Sequence, residues 1–254
     1  MILTVDIGNT NIALGGFSGE QLVFVARVAT DTAKTEDEYA ALLSSILSLH
    51  GVAPTDIDGA ILSSVVPMLN TVMRRAVQFI CGVEVILVEP GIKTGISIHC
   101  DAPSSVGSDL ICACVAVQQK YGSPAVIVDM GTATKIMVLN AKGTFVGVSI
   151  IPGVRMGLRA LSEETAQLPQ VSLEAPSAVV GKNTTDAMRS GVIFGHASLI
   201  DGMIDRVSDE LGVALPVYAT GGLASLIVPH CRHDITADDH LVLHGLRVLY
   251  DKNH

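Results

Sequence analysis

The chain writes one pattern twice. Asp6-Ile7-Gly8-Asn9-Thr10-Asn11 follows the apolar run Ile2-Leu3-Thr4-Val5, and Asp129-Met130-Gly131-Thr132-Ala133-Thr134 follows Ala125-Val126-Ile127-Val128. Each turn leads into a second apolar run, Ile12-Ala13-Leu14 and Ile136-Met137-Val138-Leu139. Each run then meets a turn signal, Ser18-Gly19-Glu20 and Ala141-Lys142-Gly143, and a third strand-like run. Apolar runs separated by Gly, Asn and Asp turns predict a three-stranded meander in each half. The repeat predicts two domains related by duplication, facing each other across a cleft.

The turn composition carries chemistry. Glycine lets backbone approach a ligand because no Cβ intervenes. Asn9, Thr10, Thr132 and Thr134 add short hydrogen-bonding side chains, and turn N–H groups can form an anion site. Asp6 and Asp129 stand at strand ends, where a carboxylate can hold a hydrated cation that neutralises phosphate charge. Asp, Gly, Asn and Thr also fill ordinary hairpin turns. Two copies in matching contexts favour phosphate binding over that plainer role.

Composition narrows the rest. Of 254 residues, 49% are hydrophobic and 16% charged, enough apolar material for large cores and too little charge for a disordered chain. The net charge of -9, without a Lys/Arg cluster, argues against nucleic acid as a partner. No apolar run approaches the ~18 residues of a membrane span, and no basic segment precedes the first strand as in a signal peptide. Cys81, Cys100, Cys112, Cys114 and Cys231 form no Cys-x-x-Cys pair, which reads as reduced thiols in the cytoplasm.

Along the chain, Thr35 and Glu38 form a capping box ahead of Tyr39, Leu42, Leu43, Ile46 and Leu47 at helical spacing. Gly59–Val65 reads as a buried strand. Pro67 opens an amphipathic helix to Gly82, and Val83–Val88 is another strand. Residues 91–107 form a loop, and Asp109–Lys120 a helix apolar nearly all round, hence buried. Thr184 to Leu211 is a long helix whose Gly191, Gly195 and Gly202 mark close helix contact or a break. Val217-Tyr218-Ala219 is a strand ending in Thr220-Gly221-Gly222. Helices near 223–228 and 241–251 complete the chain. The whole predicts an α/β fold of mixed sheets flanked by helices, with domains at 1–117 and 118–254.

These motifs resemble the sugar-kinase and actin-like ATPase superfamily of ribonuclease-H-like folds. More specifically the chain resembles type III pantothenate kinases. Carriers of the likeness include the two Asp-x-Gly turns, Lys34-Thr35-x-Asp37-Glu38-Tyr39, Ser63-Ser64-Val65-Val66-Pro67 and Lys93-Thr94-Gly95. Leu168-Pro169, Gly181-Lys182-Asn183-Thr184 and Thr220-Gly221-Gly222-Leu223 continue it in order. The resemblance implies ATP-dependent phosphorylation of pantothenate, the opening step of coenzyme A synthesis, by a homodimer using magnesium and potassium or ammonium. Carried over, Asp6, Gly8, Asn9, Thr10, Asn11, Thr132, Thr134, Gly221 and Gly222 serve the nucleotide. Asp129 takes the monovalent cation and Asp6 shares the metal role. Asp109, within Gly107-Ser108-Asp109-Leu110, matches the general base of the family's Gly-x-Asp-Arg, with a helix N-cap as its structural alternative. Thr184 contacts substrate across the dimer, and Cys100, Gly107, Ser108 and Leu110 occupy substrate-facing positions.

The departures cluster on the substrate side. The family arginine is Leu110, its usual tyrosine is Cys100, and its Asp-Asn-x-x-Pro stretch is thinned to Asp101-Ala102-Pro103. Losing one partner of a buried charge pair commonly costs ~2–5 kcal/mol, or roughly thirty-fold to several thousand-fold in affinity. A kinase for another small alcohol, or a nucleotide-binding relative without pantothenate kinase activity, therefore stands beside the first reading. Lys135 replaces the second Thr of Gly-Thr-Ala-Thr-Thr. Its ammonium can fill the monovalent-cation position or pair with phosphate; otherwise it is a solvated strand lysine. His230-Cys231-Arg232-His233 and His240-x-x-x-His244 have metal-like spacings that also arise by chance. Cys112-x-Cys114 reads as core packing, and His99 as a loop or solvated residue.

Overall fold

Alternation and apolar runs become strands where the spacing requires. The computed structural model describes all residues, Met1–His254. Its first elements are β1 (Ile2–Ile7), β2 (Asn11–Ser18), β3 (Gln21–Ala29), α1 (Glu36–Leu49), β4 (Gly59–Ser64), α2 (Met68–Cys81), β5 (Val85–Leu87), β6 (Ser97–Ile98) and α3 (Ser108–Lys120). There follow β7 (Ala125–Met130), β8 (Ala133–Leu139), β9 (Thr144–Pro152), α4 (Val154–Glu163), α5 (Thr184–Leu211), β10 (Val217–Thr220), α6 (Ala224–Ile227), β11 (Ile235–Ala237) and α7 (Leu241–Asn253). The chain forms two units. One comprises Met1–Ser97, Asp101–Lys120 and Leu241–His254, the other Ile98–Cys100 and Tyr121–His240.

In the first unit the strand order is β3-β2-β1-β4-β5. The meander pairs antiparallel, whereas β4 joins β1, and β5 joins β4, in parallel. In the second unit the order is β11-β10-β7-β8-β9, with β6 at the β9 edge. Its meander is again antiparallel, and β10 and β11 are again parallel additions. Strand for strand, the duplication read from the turns is a duplication of topology. Even the irregularities correspond: the register slips between Gly16 and Phe17 in one copy and between Val138 and Leu139 in the other. Such a bulge increases local twist.

The cores follow the same logic. Val5, Ile7, Ile12, Ala60 and Leu62 are buried in the first, and Val126, Val128, Ile193, Ile200 and Ala219 in the second. Central parallel strands covered on both faces must be apolar throughout. Helix α1 starts where predicted, with the Thr35–Glu38 capping box formed. Helix α3 is buried continuously from Leu110 to Val117, as its all-round apolar composition requires.

Three expectations need correction. The final helix, α7, does not pack with the second half: Leu241, Leu243, Leu246, Leu249 and Tyr250 are buried in the first unit, against α3, β1 and β4. The first segment runs on to Lys120 rather than ending at 117. Helix α5 is continuous, and a Cβ at Gly191, Gly195 or Gly202 would meet nothing within 4 Å. Those glycines mark neither a break nor a tight contact within the chain. Close approach falls instead at Gly245, where a Cβ would strike the Cys112 carbonyl and so separate α7 from α3.

Candidate active site

The first Asp-x-Gly turn is closed by its own backbone and by a residue from β3's far end. The Gly8 N–H donates to the Asn11 carbonyl at 3.0 Å. The Thr30 hydroxyl donates to the Gly8 carbonyl at 2.6 Å, and the Thr30 N–H donates to the Thr10 carbonyl at 3.0 Å. Asn9, Thr10 and Asn11 remain exposed at the tip. Two bonds from one residue thus fix the turn's shape while leaving its hydrogen-bonding side chains outward, as an anion site needs. Thr30 was not among the residues picked out by motif.

Asp6 ends β1 beside this turn, opposite Ala13 on β2 and Ser63 on β4. Asp109 lies in the first turn of α3. A network led by Ser108 ties that helix start to β4. The Ser108 hydroxyl donates to the Ser64 carbonyl at 3.1 Å, its oxygen accepts from the Ser64 N–H at 3.1 Å, and it stands 3.0 Å from the Ser63 hydroxyl. Ser108 is therefore part of the scaffold that sets Asp109, rather than a substrate contact. Helix α3 begins at Ser108, so Asp109 sits inside the first turn and not at the N-cap position.

One buried thiol feels the charge of both carboxylates. Burial pushes the Cys112 thiol well up, and the negative charges of Asp6 and then Asp109 push it further. Cys112 is fully buried and stays a neutral thiol, with no nucleophilic character. Its role is to fill the space behind two acidic groups, which the Cys112-x-Cys114 core reading anticipated. Leu110 is 6% exposed, its N–H donating to Asp109 Oδ1 at 2.9 Å. At the position where the resemblance implies an arginine, this chain therefore offers almost no side-chain surface to a ligand.

The second turn is built differently. Met130 faces Thr134 across a three-residue connection, whereas Ile7 faces Ile12 across four. That shorter turn places Lys135 directly opposite Asp129. Cross-strand neighbours share a face of the sheet, and the Lys135 Nζ lies 2.9 Å from Asp129 Oδ2. The two side chains are 20% and 14% exposed. The other carboxylate oxygen is crowded by Gly221, where φ is +93° and a Cβ would lie 2.7 Å from Asp129 Oδ1. Thr220 is the parallel partner of Asp129, so the Thr-Gly-Gly segment arrives beside the second turn.

Thr132 is exposed at that turn's tip, as a phosphate ligand should be. Thr134 is not: it is fully buried, its hydroxyl 2.8 Å from His196 Nε2 on α5. It braces the turn from behind, and its assignment to phosphate is withdrawn. Burial also lowers the pKa of His196, favouring the neutral ring in that pair. Thr184 is the exposed first residue of α5, capped by Asn183. Cys100 belongs to the second unit, whereas Gly107, Ser108 and Leu110 belong to the first.

The two ionic groups implied by the resemblance fit unequally. Mg²⁺ keeps most of its waters and takes one or two carboxylates together with phosphate oxygens; Asp6 at the turn suits that donor set. Potassium at Asp129 does not fit. An ion on Oδ2 would compete with the ammonium for one position, and two unit positive charges 4 Å apart repel by about 4 kcal/mol at an effective dielectric of 20. The histidine spacings assemble no metal centre either, since no group of three or more His, Cys, Asp or Glu gathers. His233 pairs with Asp205, while His230 and His244 pack on Phe194 and Phe17.

A family model for type III pantothenate kinase matches residues 2–206. The type III pantothenate kinase of Geobacter sulfurreducens is 42% identical over 253 residues, covering all of this chain and 99% of that protein. The chain belongs to the type III pantothenate kinase family. Among solved structures, the fold is shared with component A of the Acidaminococcus fermentans (R)-2-hydroxyglutaryl-CoA dehydratase (TM-score 0.58, 16% identity, 98% and 96% of the two chains). It is shared also with the inorganic polyphosphate/ATP-glucomannokinase of an Arthrobacter strain (TM-score 0.52, 14% identity, 100% and 99%). These more distant likenesses are likenesses of fold, the doubled α/β arrangement of mixed sheets flanked by helices. In this chain the Ser108 network holds the start of the helix that carries Asp109. No helix of the chain is long and apolar enough to cross a membrane.

Proposed function

We propose that this chain transfers the γ-phosphoryl group of ATP to the terminal hydroxyl of pantothenate, giving 4′-phosphopantothenate and ADP for coenzyme A synthesis, as a cytoplasmic homodimer. The observation that carries the reading is family membership over the full length, joined to an Asp109 held at the head of α3 by the Ser108 network. A primary alcohol is a weak nucleophile. Asp109 accepts its proton as the alcohol oxygen bonds to phosphorus and the bond to the departing ADP oxygen breaks. The proton then leaves from the Asp109 carboxyl to solvent. The first turn, Gly8 to Asn11, and Thr132 in the second hold phosphate oxygens through backbone N–H groups and side chains. Magnesium, held by Asp6 and the nucleotide's own oxygens, would offset phosphate charge. Gly221 and Gly222 give the nucleotide a surface without side chains, and Thr184 serves the acceptor in the dimer.

A second reading, transfer to a different small alcohol, is favoured by one observation: Leu110, at the position where the resemblance implies an arginine, is buried. The same experiment addresses both. Purified protein is incubated with ATP, magnesium and pantothenate, and product is followed by mass spectrometry. Formation of 4′-phosphopantothenate, reduced about 10²–10⁴-fold in Asp109→Asn, is the expected result. ATP turnover absent with pantothenate but present with another alcohol transfers the assignment to the second reading.

A further inference from the structure

We propose that the Lys135 ammonium is a built-in monovalent cation at the second phosphate turn, so that nucleotide binding and turnover by this chain require no potassium or ammonium from solution. The inference rests on the second turn being a phosphate site, as in the proposed function.

The hairpin register puts Lys135 opposite Asp129, and Nζ reaches Oδ2 at 2.9 Å. A lysine on a largely covered strand face is rare unless its charge is used. Here the ammonium lies at the mouth of a glycine turn whose exposed tip is Thr132. The carboxylate is enclosed from both sides, by Nζ at one oxygen and by the Gly221 backbone at the other. The molecule contains its own comparison. In the first copy of the motif the residue opposite Asp6 is Ala13, which brings no charge. The ammonium is thus a property of the second copy alone, set by the lysine at position 135 and the register that places it opposite Asp129. A tethered ammonium resembles potassium in charge and supplies directed N–H donors. Unlike a free ion, it is present at every salt concentration.

The test uses the intact chain exchanged into tetramethylammonium chloride. Binding of a non-hydrolysable ATP analogue with magnesium is measured by calorimetry, alongside product formation, before and after potassium chloride replaces the tetramethylammonium salt at equal ionic strength. The unmodified chain should change by less than about two-fold in affinity. Lys135→Met should lose about ten-fold or more without potassium and regain most of it with potassium, because Asp129 is then open to the ion. Lys135→Arg, which keeps the charge, should stay insensitive to potassium, and it provides the readout if the methionine variant fails to fold. A gain of about ten-fold with potassium in the unmodified chain overturns the proposal. So does a Lys135→Met variant that binds the analogue normally in tetramethylammonium, or the absence of analogue binding in every salt. Potassium-insensitive binding without any phosphopantothenate upholds this inference and removes the pantothenate reading instead.

Discussion

Thr30 shows how much a single hydroxyl can organise. It donates to the Gly8 carbonyl while its own N–H reaches Thr10, so both sides of the first turn are pinned by one residue. Thr30→Val preserves shape and removes the side-chain donor. Stability should fall by ~1 kcal/mol, the usual net worth of such a bond. The KM for ATP should rise several-fold with a smaller change in kcat, and Thr30→Ser should restore it; steady-state kinetics with ATP varied provides the check. Nothing in the local sequence marks Thr30, because its partner lies 22 positions away. By contrast Asp6 and the turn residues stand out by motif, and Asp109 is singled out by the resemblance rather than by its spacing. The Lys135–Asp129 pair lay between those cases: strand register decides it, and register depends on the exact turn length. Thr134 misled because the motif specifies residue type and not the direction a strand side chain faces. Its position buries the hydroxyl against His196.

Elements were read best where periodicity was long. The meanders, the capped α1, the buried α3 and the 28-residue α5 all stood out. Strands β6 and β11, of two and three residues, were missed because so short a run carries no period. Glycines in helices were judged by neighbours in sequence, whereas their use depends on neighbours in space. In α5 they face open space, while in α7 one glycine sets the approach of two helices. Gly245→Ala would gain helix propensity of ~1 kcal/mol, yet its Cβ would collide with the Cys112 backbone, which has no flexible end to move aside. The collision should win, with a net loss of ~1–3 kcal/mol typical of overpacking. Urea unfolding of the variant measures it. Because α3 also carries Asp109, activity should fall further than the folded fraction alone explains.

At the scale of the molecule, the chain repeats one five-strand arrangement and then crosses back. Its last helix completes the unit that its first strand began. The sequence displayed the repeat but not this return, since an amphipathic helix does not state which apolar face it covers. Removing residues 241–254 should therefore damage the first unit. Four leucines of α7 are buried, and at ~1.5–3 kcal/mol each their loss rivals the 5–15 kcal/mol that holds a typical domain together. The truncated protein should bind a hydrophobic dye and lose its sharp melting transition, measured by fluorescence and circular dichroism. During synthesis the same return sets an order of events. The strands of the first unit emerge early and wait, with the α7 side of their sheet uncovered, until residues 241–253 have also been made. The part of the protein that leaves first is the part that finishes last.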